Sequence, residues 1–495
     1  MRTIEIVPSA SALLQSLRGL GYSPETALAD LIDNSIAAGA SAISVDLDWN
    51  GGEPIARVLD DGCGMDAEAL VRAMCFGGNG PDGERAETDL GRFGLGLKTA
   101  SLSQCRQLSV VTRKAGVTSA LAWDVDEVIA RRRWDALVLD PLPPSDQVII
   151  LEAGDNGTLV QWERMDSIGG LSGLDRDAFF LRVRDIGDHL GMVFHRFLSG
   201  DARRIGISLN GRAVRGWDPF QRAHPATITM QSEPVRHAGK IFTVMPYVLP
   251  HRDRFNNDAE YEAAGGPGGW GERQGFYVYR GRRLLVPGGW LGLGGTRAWT
   301  RDEASRLARI AVDLPVGLDA DWRIDVRKSQ ARPPGRLRPR LTVIAGLCRD
   351  RAREVFAWRG SRAKGQLRQA RSQDDIWAAG FGSARYRIKR DHPAVRAVSE
   401  ALGGKGALVE GLLALIERSV PVERIWLDVS EAEGAATPSF SAAEIAQLAL
   451  QLAAVVSAMP ASTPLEERLD QLIRHLPGDM SALRIAVLHN LKAAS

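Results

Sequence analysis

The clearest pattern near the start of the chain is a helical repeat of apolar residues over 24–38. Its apolar positions are Leu28, Leu31, Ile32 and Ile36. Their spacing predicts an amphipathic helix with one face in a core. Pro24 suits the first turn, Ser23 can cap the amino end and Gly39 can end the helix.

Polar residues interrupt this predicted helix at Asp30, Asp33 and Asn34. Asp30 and Asn34 lie four residues apart and therefore share one side of the helix. A buried carboxylate costs free energy unless a partner binds it. The pair is either a solvated polar face or part of a binding site, and the helix alone does not decide between them. For Asp33 we expect a structural role, as a capping or interhelix partner rather than a ligand.

Alternating apolar and polar residues predict strands around this helix. The predicted strands lie at 42–49, 55–62, 107–125 (two strands around a turn) and 157–165, and further helices are predicted at 66–74 and 97–105. Helices precede and separate consecutive antiparallel strands. The pattern therefore favours an α+β sandwich over a doubly wound sheet.

A second group of elements follows in the sequence. It contains a predicted helix at 178–198, β segments at 205–214, 274–286 and 308–315, and a helix at 441–459 that opens with a capping box from Ser441 to Glu444. A chain of 495 residues is too long for one core. We predict three regions, 1–174, 175–345 and 346–495, of which the last is mainly helical.

The composition is that of a globular protein, with 44% hydrophobic and 25% charged residues. A net charge of +2 gives no global attraction to nucleic acid, so any basic surface must be local. The four cysteines show neither metal-site spacing nor a disulfide framework. No apolar run reaches membrane length and the first residues do not form a secretion leader, so we expect a cytoplasmic protein without membrane contact.

Two glycine-rich motifs follow the polar helix. DDGCGM at 60–65 follows a predicted strand, and its glycines let the backbone approach a flat ligand while an Asp accepts a hydrogen bond. GRFGLGLKTAS at 91–101 is a glycine-rich loop that opens a helix, where backbone N–H groups and Lys98 form a cradle for an anion. Each motif alone is a weak signal, and their order along the chain carries the weight.

That order resembles the GHKL ATPase superfamily, the group of gyrase-type topoisomerases, heat-shock chaperones, histidine kinases and MutL. Within it, the motifs are similar to those of MORC-type ATPases and their prokaryotic relatives. The resemblance is carried by LADLIDNSI, LDDGCGM, FGGNG, GRFGLGLKTAS, GTLVQW and a helix-to-strand junction at 189–220. It covers roughly residues 10–345. It implies an N-terminal Bergerat-type α/β sandwich ATPase domain, a ribosomal-protein-like βαβ transducer domain and a mainly α-helical C-terminal region.

The resemblance also implies ATP and Mg²⁺ as ligands and a role for each motif residue. Asn34 would coordinate Mg²⁺, and Asp30 would act as the general base. Asp60 would bind the adenine amino group, helped by Thr158 through water. The base pocket would be shaped by Gly62, Gly64 and Met65, and the phosphates would be covered by Gly91, Gly94, Leu95, Gly96 and Lys98.

One residue departs from the superfamily pattern. Asp30 stands where the superfamily usually has Glu, so its carboxylate falls short by about 1.5 Å. A bridging water or a helix closer to the nucleotide could compensate. Slow turnover, with ATP acting mainly as a switch, and a nucleotide sensor without hydrolysis are also compatible with this residue.

In the second region, the resemblance assigns Lys328 to a transducer loop that reaches the γ-phosphate. A solvated basic loop is the other interpretation, because arginines lie nearby. The stretch 327–371 holds 14 Lys or Arg against two acids. Such charge can bind DNA phosphates without reading sequence, or it can form an exposed helix face.

These expectations lead to two candidate functions. The first is a slow ATPase that forms a homodimer on ATP binding and acts as a DNA-associated clamp or switch. It would work with a protein partner such as a nuclease or helicase, in the manner of bacterial relatives in restriction or anti-phage systems. The alternative is a chaperone-like or scaffolding switch on a protein client, with little or no hydrolysis. The region 346–495 would serve in dimerisation or in binding a partner or DNA.

Overall fold

The structure is a computed structural model that divides into two compact units, Met1–Gly360 and Ser361–Ser495. It describes residues 9–19, 21–76, 96–166, 170–200, 204–295, 297–315, 317–319, 321–324, 331–357, 376–379, 386–403, 406–419, 441–460, 463–473 and 480–494. Within these ranges, no helix is long and apolar enough to cross a membrane.

The first unit begins with an eight-stranded sheet. Its strands are β1 (Ala42–Asp48), β2 (Ile55–Asp60), β3 (Cys105–Lys114), β4 (Val117–Asp124), β5 (Leu137–Val138), β6 (Gly157–Met165), β7 (Gly206–Leu209) and β8 (Arg212–Ala213). Their spatial order is β5-β4-β3-β6-β2-β1-β7-β8, and neighbours are antiparallel except for β1 and β7. The last two strands lie beyond the boundary predicted at residue 174, and they extend this sheet because β7 pairs with β1.

Helices accompany this sheet. They are α1 (Ala10–Arg18), α2 (Pro24–Ala37), α3 (Ala67–Met74), α4 (Gly96–Leu102), α5 (Val125–Arg131), α6 (Asp146–Ala153), α7 (Arg176–Val193) and α8 (His195–Leu198), with a 3-10 turn at Asn50–Gly52. Helix α2 has the predicted extent, and Leu28 and Ile32 are fully buried in the core. The predicted cap by Ser23 is wrong, because its side chain makes no bond to the helix backbone. Its hydroxyl lies 3.1 Å from the Thr26 hydroxyl instead.

A second sheet with its own core follows in the same unit. Its strands are β9 (Ile228–Thr229), β10 (Glu233–His237), β11 (Lys240–Val248), β12 (Gly275–Arg280), β13 (Arg283–Pro287) and β14 (Ala308–Leu314), with α9 (Asp258–Gly265), α10 (Gly269–Arg273), α11 (Arg338–Ala357) and 3-10 turns at Arg252–Arg254 and Glu303–Ser305. The order is β10-β11-β14-β12-β13, with β9 beside β11. Strands β12 and β14 are parallel, and β12 and β13 form an antiparallel hairpin.

The described residues of the second unit are mainly helical, as predicted for this part of the chain. Its elements are the antiparallel pair β15 (Trp377–Ala379) and β16 (Tyr386–Ile388), then α12 (Pro393–Ala401), α13 (Gly406–Ser419), α14 (Ala442–Ala458), α15 (Leu465–Ile473) and α16 (Ser481–Ala494). The predicted capping box is confirmed, because Ser441 and Glu444 each bond the other's backbone. Val456, Leu469 and Val487 belong to a separate apolar core.

Asp61, which follows β2, fixes the start of β1. Its Oδ1 accepts hydrogen bonds from the backbone N–H groups of Ser41 at 2.7 Å and Ala42 at 2.9 Å. Burial opposes its charged form, but the hydrogen bonds from Ala42 and Ser41 outweigh this effect and lower its pKa. Asp61 is therefore a structural residue in the polar stretch after β2.

Replacing Asp61 with Ala should lower the free energy of unfolding at pH 7 by about 1 kcal/mol, because a partly exposed carboxylate loses its hydrogen bonds. The folded-state pKa lies below the ordinary value of 3.8. This stability is therefore complete above that value and is lost as the pH falls through the folded-state pKa. Urea unfolding of both proteins at pH 7 and near the lower end of their soluble range measures the difference.

The matched control is Asp155→Ala, at an exposed position in the loop before β6. It should change the unfolding free energy by less than about 0.5 kcal/mol. A difference between wild type and Asp61→Ala that stays constant on acidification would contradict the assignment.

Candidate active site

Helix α2 carries the first polar group of the site. Asp30 is 4% exposed, and the Tyr22 hydroxyl donates a hydrogen bond of 3.2 Å to its Oδ2. A methyl group on Gly96, at the start of α4, would lie 3.9 Å from the same oxygen. Asn34 lies one turn further along α2 and is exposed. The glycine-rich loop's helix therefore begins beside the Asp30 carboxylate.

The second polar group lies at the end of β2. Asp60 is buried, and its oxygens accept hydrogen bonds from the Ser35 hydroxyl at 2.6 Å and the Gly62 N–H at 2.9 Å. Burial raises its pKa, while the hydrogen bonds from Ser35 and Gly62 act in the opposite direction. Because Ser35 lies on α2 and Asp60 on β2, their hydrogen bond links the helix to the strand. Thr158 is the residue of β6 that pairs with Asp60.

The glycines after β2 are required by close backbone approaches. A Cβ on Gly64 would lie 1.9 Å from the Arg113 carbonyl oxygen, and Gly64 has a φ of +61°. A Cβ on Gly62 would lie 2.9 Å from Asp60 Oδ1. Larger residues at these positions would displace the loop from β3 or from the carboxylate. The glycines of the DDGCGM motif are therefore required because no room exists for a side chain at these two positions.

Thr112 of β3 connects the loop after β2 to the start of β6. Its hydroxyl accepts a hydrogen bond of 2.9 Å from the Met65 N–H, donates to the Gly157 carbonyl at 3.0 Å and lies 3.1 Å from the Thr158 hydroxyl. Sequence reasoning missed Thr112, because only the register of β3 against β6 places it opposite Thr158. It also missed Tyr22 and Ser35, although Ser35 directly follows Asn34.

Lys98 occupies the first turn of α4, and its ammonium group is directed at the end of α3. It donates hydrogen bonds to the carbonyl oxygens of Ala73 at 3.0 Å and Cys75 at 2.7 Å. Its Nζ lies 5.9 Å from the centre of the Phe76 ring. Burial lowers the pKa of Lys98. Lys98 thus joins the helix after the glycine-rich loop to α3, and its predicted contact with phosphate stays a prediction.

The structure brings one part of the predicted site together and does not cover the rest. Asp30 and Asn34 share α2, and Gly96 begins α4 beside Asp30. The contacts around the end of β2 bring together Asp60, Gly62, Gly64, Met65 and Thr158. Gly91, Gly94, Leu95 and Lys328 lie outside the described residues.

Residues 22–158 match the family model described as histidine kinase-, DNA gyrase B- and HSP90-like ATPase. A segment of 99 residues is 36% identical to the ATPase morc-1 of Caenorhabditis elegans and covers 20% of this chain and 11% of the nematode protein. The DNA mismatch repair protein MutL of Syntrophotalea carbinolica is 36% identical over 104 residues, which is 21% of this chain and 15% of that protein. The MutL of Haemophilus influenzae is 33% identical over 106 residues, which is 21% of this chain and 16% of that protein. The similarity thus spans less than a fifth of each relative.

The matched residues include the polar face of α2, the glycine loop after β2 and the start of β6, which are the elements that form the site. Residues 22–158 therefore form a domain of the GHKL ATPase type, and this part of the chain is similar to a MORC-type ATPase and to MutL.

Proposed function

We propose that this chain binds ATP with Mg²⁺ between α2, β2 and β6 and hydrolyses it slowly. The observation that supports the proposal is the buried Asp30 carboxylate beside the start of α4, with Asn34 exposed one turn away on α2. A buried acid beside a glycine-rich loop has the placement that a general base needs. Asp60 provides a separate carboxylate that binds the adenine ring of the nucleotide.

Each side chain then has one task. Asp60 accepts a hydrogen bond from the adenine amino group, and Thr158 and Thr112 bracket the same end of the pocket. Asp30 takes the proton of the attacking water while Tyr22 holds its Oδ2. Lys98 leaves the carbonyl groups at the end of α3 for a phosphate oxygen. The phosphates would be covered by Gly91, Gly94, Leu95 and Gly96, and Lys328 would bind the γ-phosphate.

The residues on α2 fit a magnesium ion. Mg²⁺ prefers oxygen ligands, and it is usually bound by few protein groups together with water and phosphate. The exposed amide of Asn34 supplies such an oxygen at the open side of α2. When bound, the ion supplies neutralisation of phosphate charge.

The second sheet is proposed to act as a transducer for a homodimer that forms on ATP binding. We further propose that this dimer is a clamp on DNA, because two of the relatives are named as DNA mismatch repair proteins. In the described part of the basic stretch, Arg340 pairs with Glu233, Arg351 with Glu354 and Arg353 with Asp302. The DNA contact therefore needs cations beyond these pairs. A nuclease or helicase partner, as in a bacterial restriction or anti-phage system, would supply further activity.

The alternative function is a chaperone-like or scaffolding switch with little hydrolysis. It is favoured by the short Asp30 side chain and by exposed apolar residues on α13. These residues are Leu408, Leu412 and Leu415. Under this alternative a protein client, rather than DNA, would respond to the nucleotide.

We expect purified protein to hydrolyse ATP only with Mg²⁺, and Asp30→Ala to lower kcat by about 10²–10⁴-fold because the general base is lost. Its affinity for ATP should be retained, since Asp60 is unchanged. Phosphate release gives kcat, and titration with a fluorescent ATP analogue gives affinity. The matched control is Asp155→Ala, which removes a carboxylate from an exposed loop. Equal turnover in Asp30→Ala and wild type would exclude Asp30 as the base.

The same assay with duplex DNA separates the two functions. Stimulation that weakens steeply with salt supports the clamp, because phosphate contacts release counterions. Turnover that is indifferent to DNA but changes with a protein partner supports the alternative. A protein that binds ATP without hydrolysing it would be a sensor.

Tyr22→Phe should lower kcat while leaving KM unchanged, because the substitution removes the hydroxyl that donates a hydrogen bond to Asp30 Oδ2 and keeps the ring. The charged carboxylate also loses a donor, so the acid limb of the kcat profile should move to higher pH. Tyr261→Phe is the matched control, since Tyr261 is equally buried in the second sheet's core and far along the chain. An unchanged pH profile in Tyr22→Phe would remove Tyr22 from the mechanism.

The affinity for ATP should fall as the pH is lowered, because the pKa of Asp60 is raised above 3.8 and its protonated form cannot accept the adenine hydrogen bond at that oxygen. Asp60→Asn should bind more weakly and should lose this part of the pH dependence. The titration of ATP itself is common to both proteins and cancels in their ratio. A constant ratio of the two affinities across acidic and neutral pH would contradict the role of Asp60.

A further inference from the structure

Asp33 pairs with an arginine from the second sheet. Its carboxylate oxygens lie 3.1 Å and 3.2 Å from Arg283 Nε. The side chains of Asp33 and Arg283 are 1% and 5% exposed. Asp33 belongs to α2 and Arg283 begins β13, 250 residues later. The expected structural role of Asp33 is thus filled by a partner in another sheet, rather than by a cap or a neighbouring helix.

The guanidinium of Arg283 is held from several sides. It donates a further hydrogen bond to the Leu284 carbonyl, and its central carbon lies 5.1 Å from the centre of the Phe194 ring. Burial and the charge of Arg283 together lower the pKa of His189 to about 3, so that this imidazole is neutral near pH 7. The Arg283 guanidinium pairs with the Asp33 carboxylate.

A buried ion pair of this kind is a stiff connection. Its charges attract strongly in a medium of low dielectric constant, and separating them leaves each without compensation. The two Nε distances confine Asp33, and the contacts to Leu284 and Phe194 confine Arg283. The pair therefore couples the position of α2 to that of the β12–β13 hairpin.

The same helix holds the residues of the proposed reaction. Asp30 lies three residues before Asp33, and Asn34 lies directly after it. All three are within the 14 residues of α2. A shift of Asp33 by the hairpin is thus transmitted through less than one turn of helix to the general base and to the magnesium ligand.

We propose that Asp33 and Arg283 are positioning residues through which the second sheet sets the place of Asp30 and Asn34. The inference rests on the proposed ATPase function and adds a route of regulation that is separate from the Lys328 loop. Nucleotide at α2 changes the β12–β13 hairpin through this pair, and a ligand that moves the hairpin changes turnover through the same pair.

The test removes both charges together. Asp33→Leu combined with Arg283→Met leaves neither charge unpaired, a replacement that buried ion pairs tolerate. The matched control is Arg280→Met combined with Asp319→Leu. That pair is also buried, with 3.2 Å between Arg280 Nε and Asp319 Oδ2, but both residues lie in the region of the second sheet. Thermal unfolding first establishes that both double variants are folded.

Two measurements are then made on the full chain with Mg²⁺ and adenylyl-imidodiphosphate. Hydrogen–deuterium exchange of peptides covering β12 and β13 reports the hairpin, and titration of the analogue reports binding. In wild type and control, the analogue should change exchange in the hairpin. In Asp33→Leu/Arg283→Met this response should be lost and kcat should fall by about tenfold, whereas analogue affinity should stay within about threefold. Arg283→Lys, which keeps the charge but loses the planar fork, should be intermediate.

The outcomes separate the inference from the proposed function. If wild type does not bind the analogue, the ATPase proposal fails and the inference fails with it. If wild type binds but its hairpin does not respond, or if the uncharged pair keeps both the response and kcat, the inference is overturned while the ATPase proposal stands. Loss of the response in the Arg280–Asp319 control would also overturn it, since the effect would belong to the sheet as a whole.

Discussion

The burial of carboxylates within one small region is the constraint on which the rest of this structure depends. Asp30, Asp33 and Asp60 are 4%, 1% and 8% exposed. A charged group in such surroundings must have partners, or its charged form is lost. Each carboxylate has a different one: the hydroxyl of Tyr22, the guanidinium of Arg283, and the hydroxyl of Ser35 with the N–H of Gly62. Two of these contacts join α2 to another element, because Asp60 lies on β2 and Arg283 on β13. The requirement for compensation therefore also fixes these two strands against α2.

This arrangement explains why one helix can serve several purposes. The apolar side of α2 enters the core of the first sheet, and Ser35 connects it to the end of β2. Asp33 connects it to β13 in the second sheet. Asp30 lies beside the start of α4, and Asn34 is open to solvent. A rigid helix that touches both sheets and the glycine-rich loop's helix is well placed to transmit a change at any one of them to the others.

Local sequence patterns predicted the elements but not the contacts between them. The helix over 24–38 and the strand over 157–165 followed from their periods, and α2 and β6 have those extents within one residue. Thr112, Tyr22 and Arg283 gave no comparable signal, because their roles depend on strand register and on packing between distant segments. At Ser23 the local pattern predicted a contact that does not form. Its hydroxyl contacts the Thr26 hydroxyl instead of capping the helix backbone. The order of the motifs predicted the superfamily, whereas the ion pair between Asp33 and Arg283 could be found only in the three-dimensional structure.

The adjacent acids Asp60 and Asp61 show that environment, rather than residue type, sets the direction in which the pKa of a carboxyl group moves. Burial dominates at Asp60 and raises its pKa, while hydrogen bonds from Ala42 and Ser41 prevail at the more exposed Asp61 and lower its pKa. Asp61 accepts hydrogen bonds from the backbone N–H groups at the start of β1. Asp60 accepts hydrogen bonds from the Ser35 hydroxyl and the Gly62 N–H, and it is shielded from water. A hydrogen bond from a ligand to such a carboxylate is stronger than one made in water, because the low dielectric constant of the site strengthens it. Under the proposed function, recognition of adenine by Asp60 therefore depends on the same burial that makes its charged form costly.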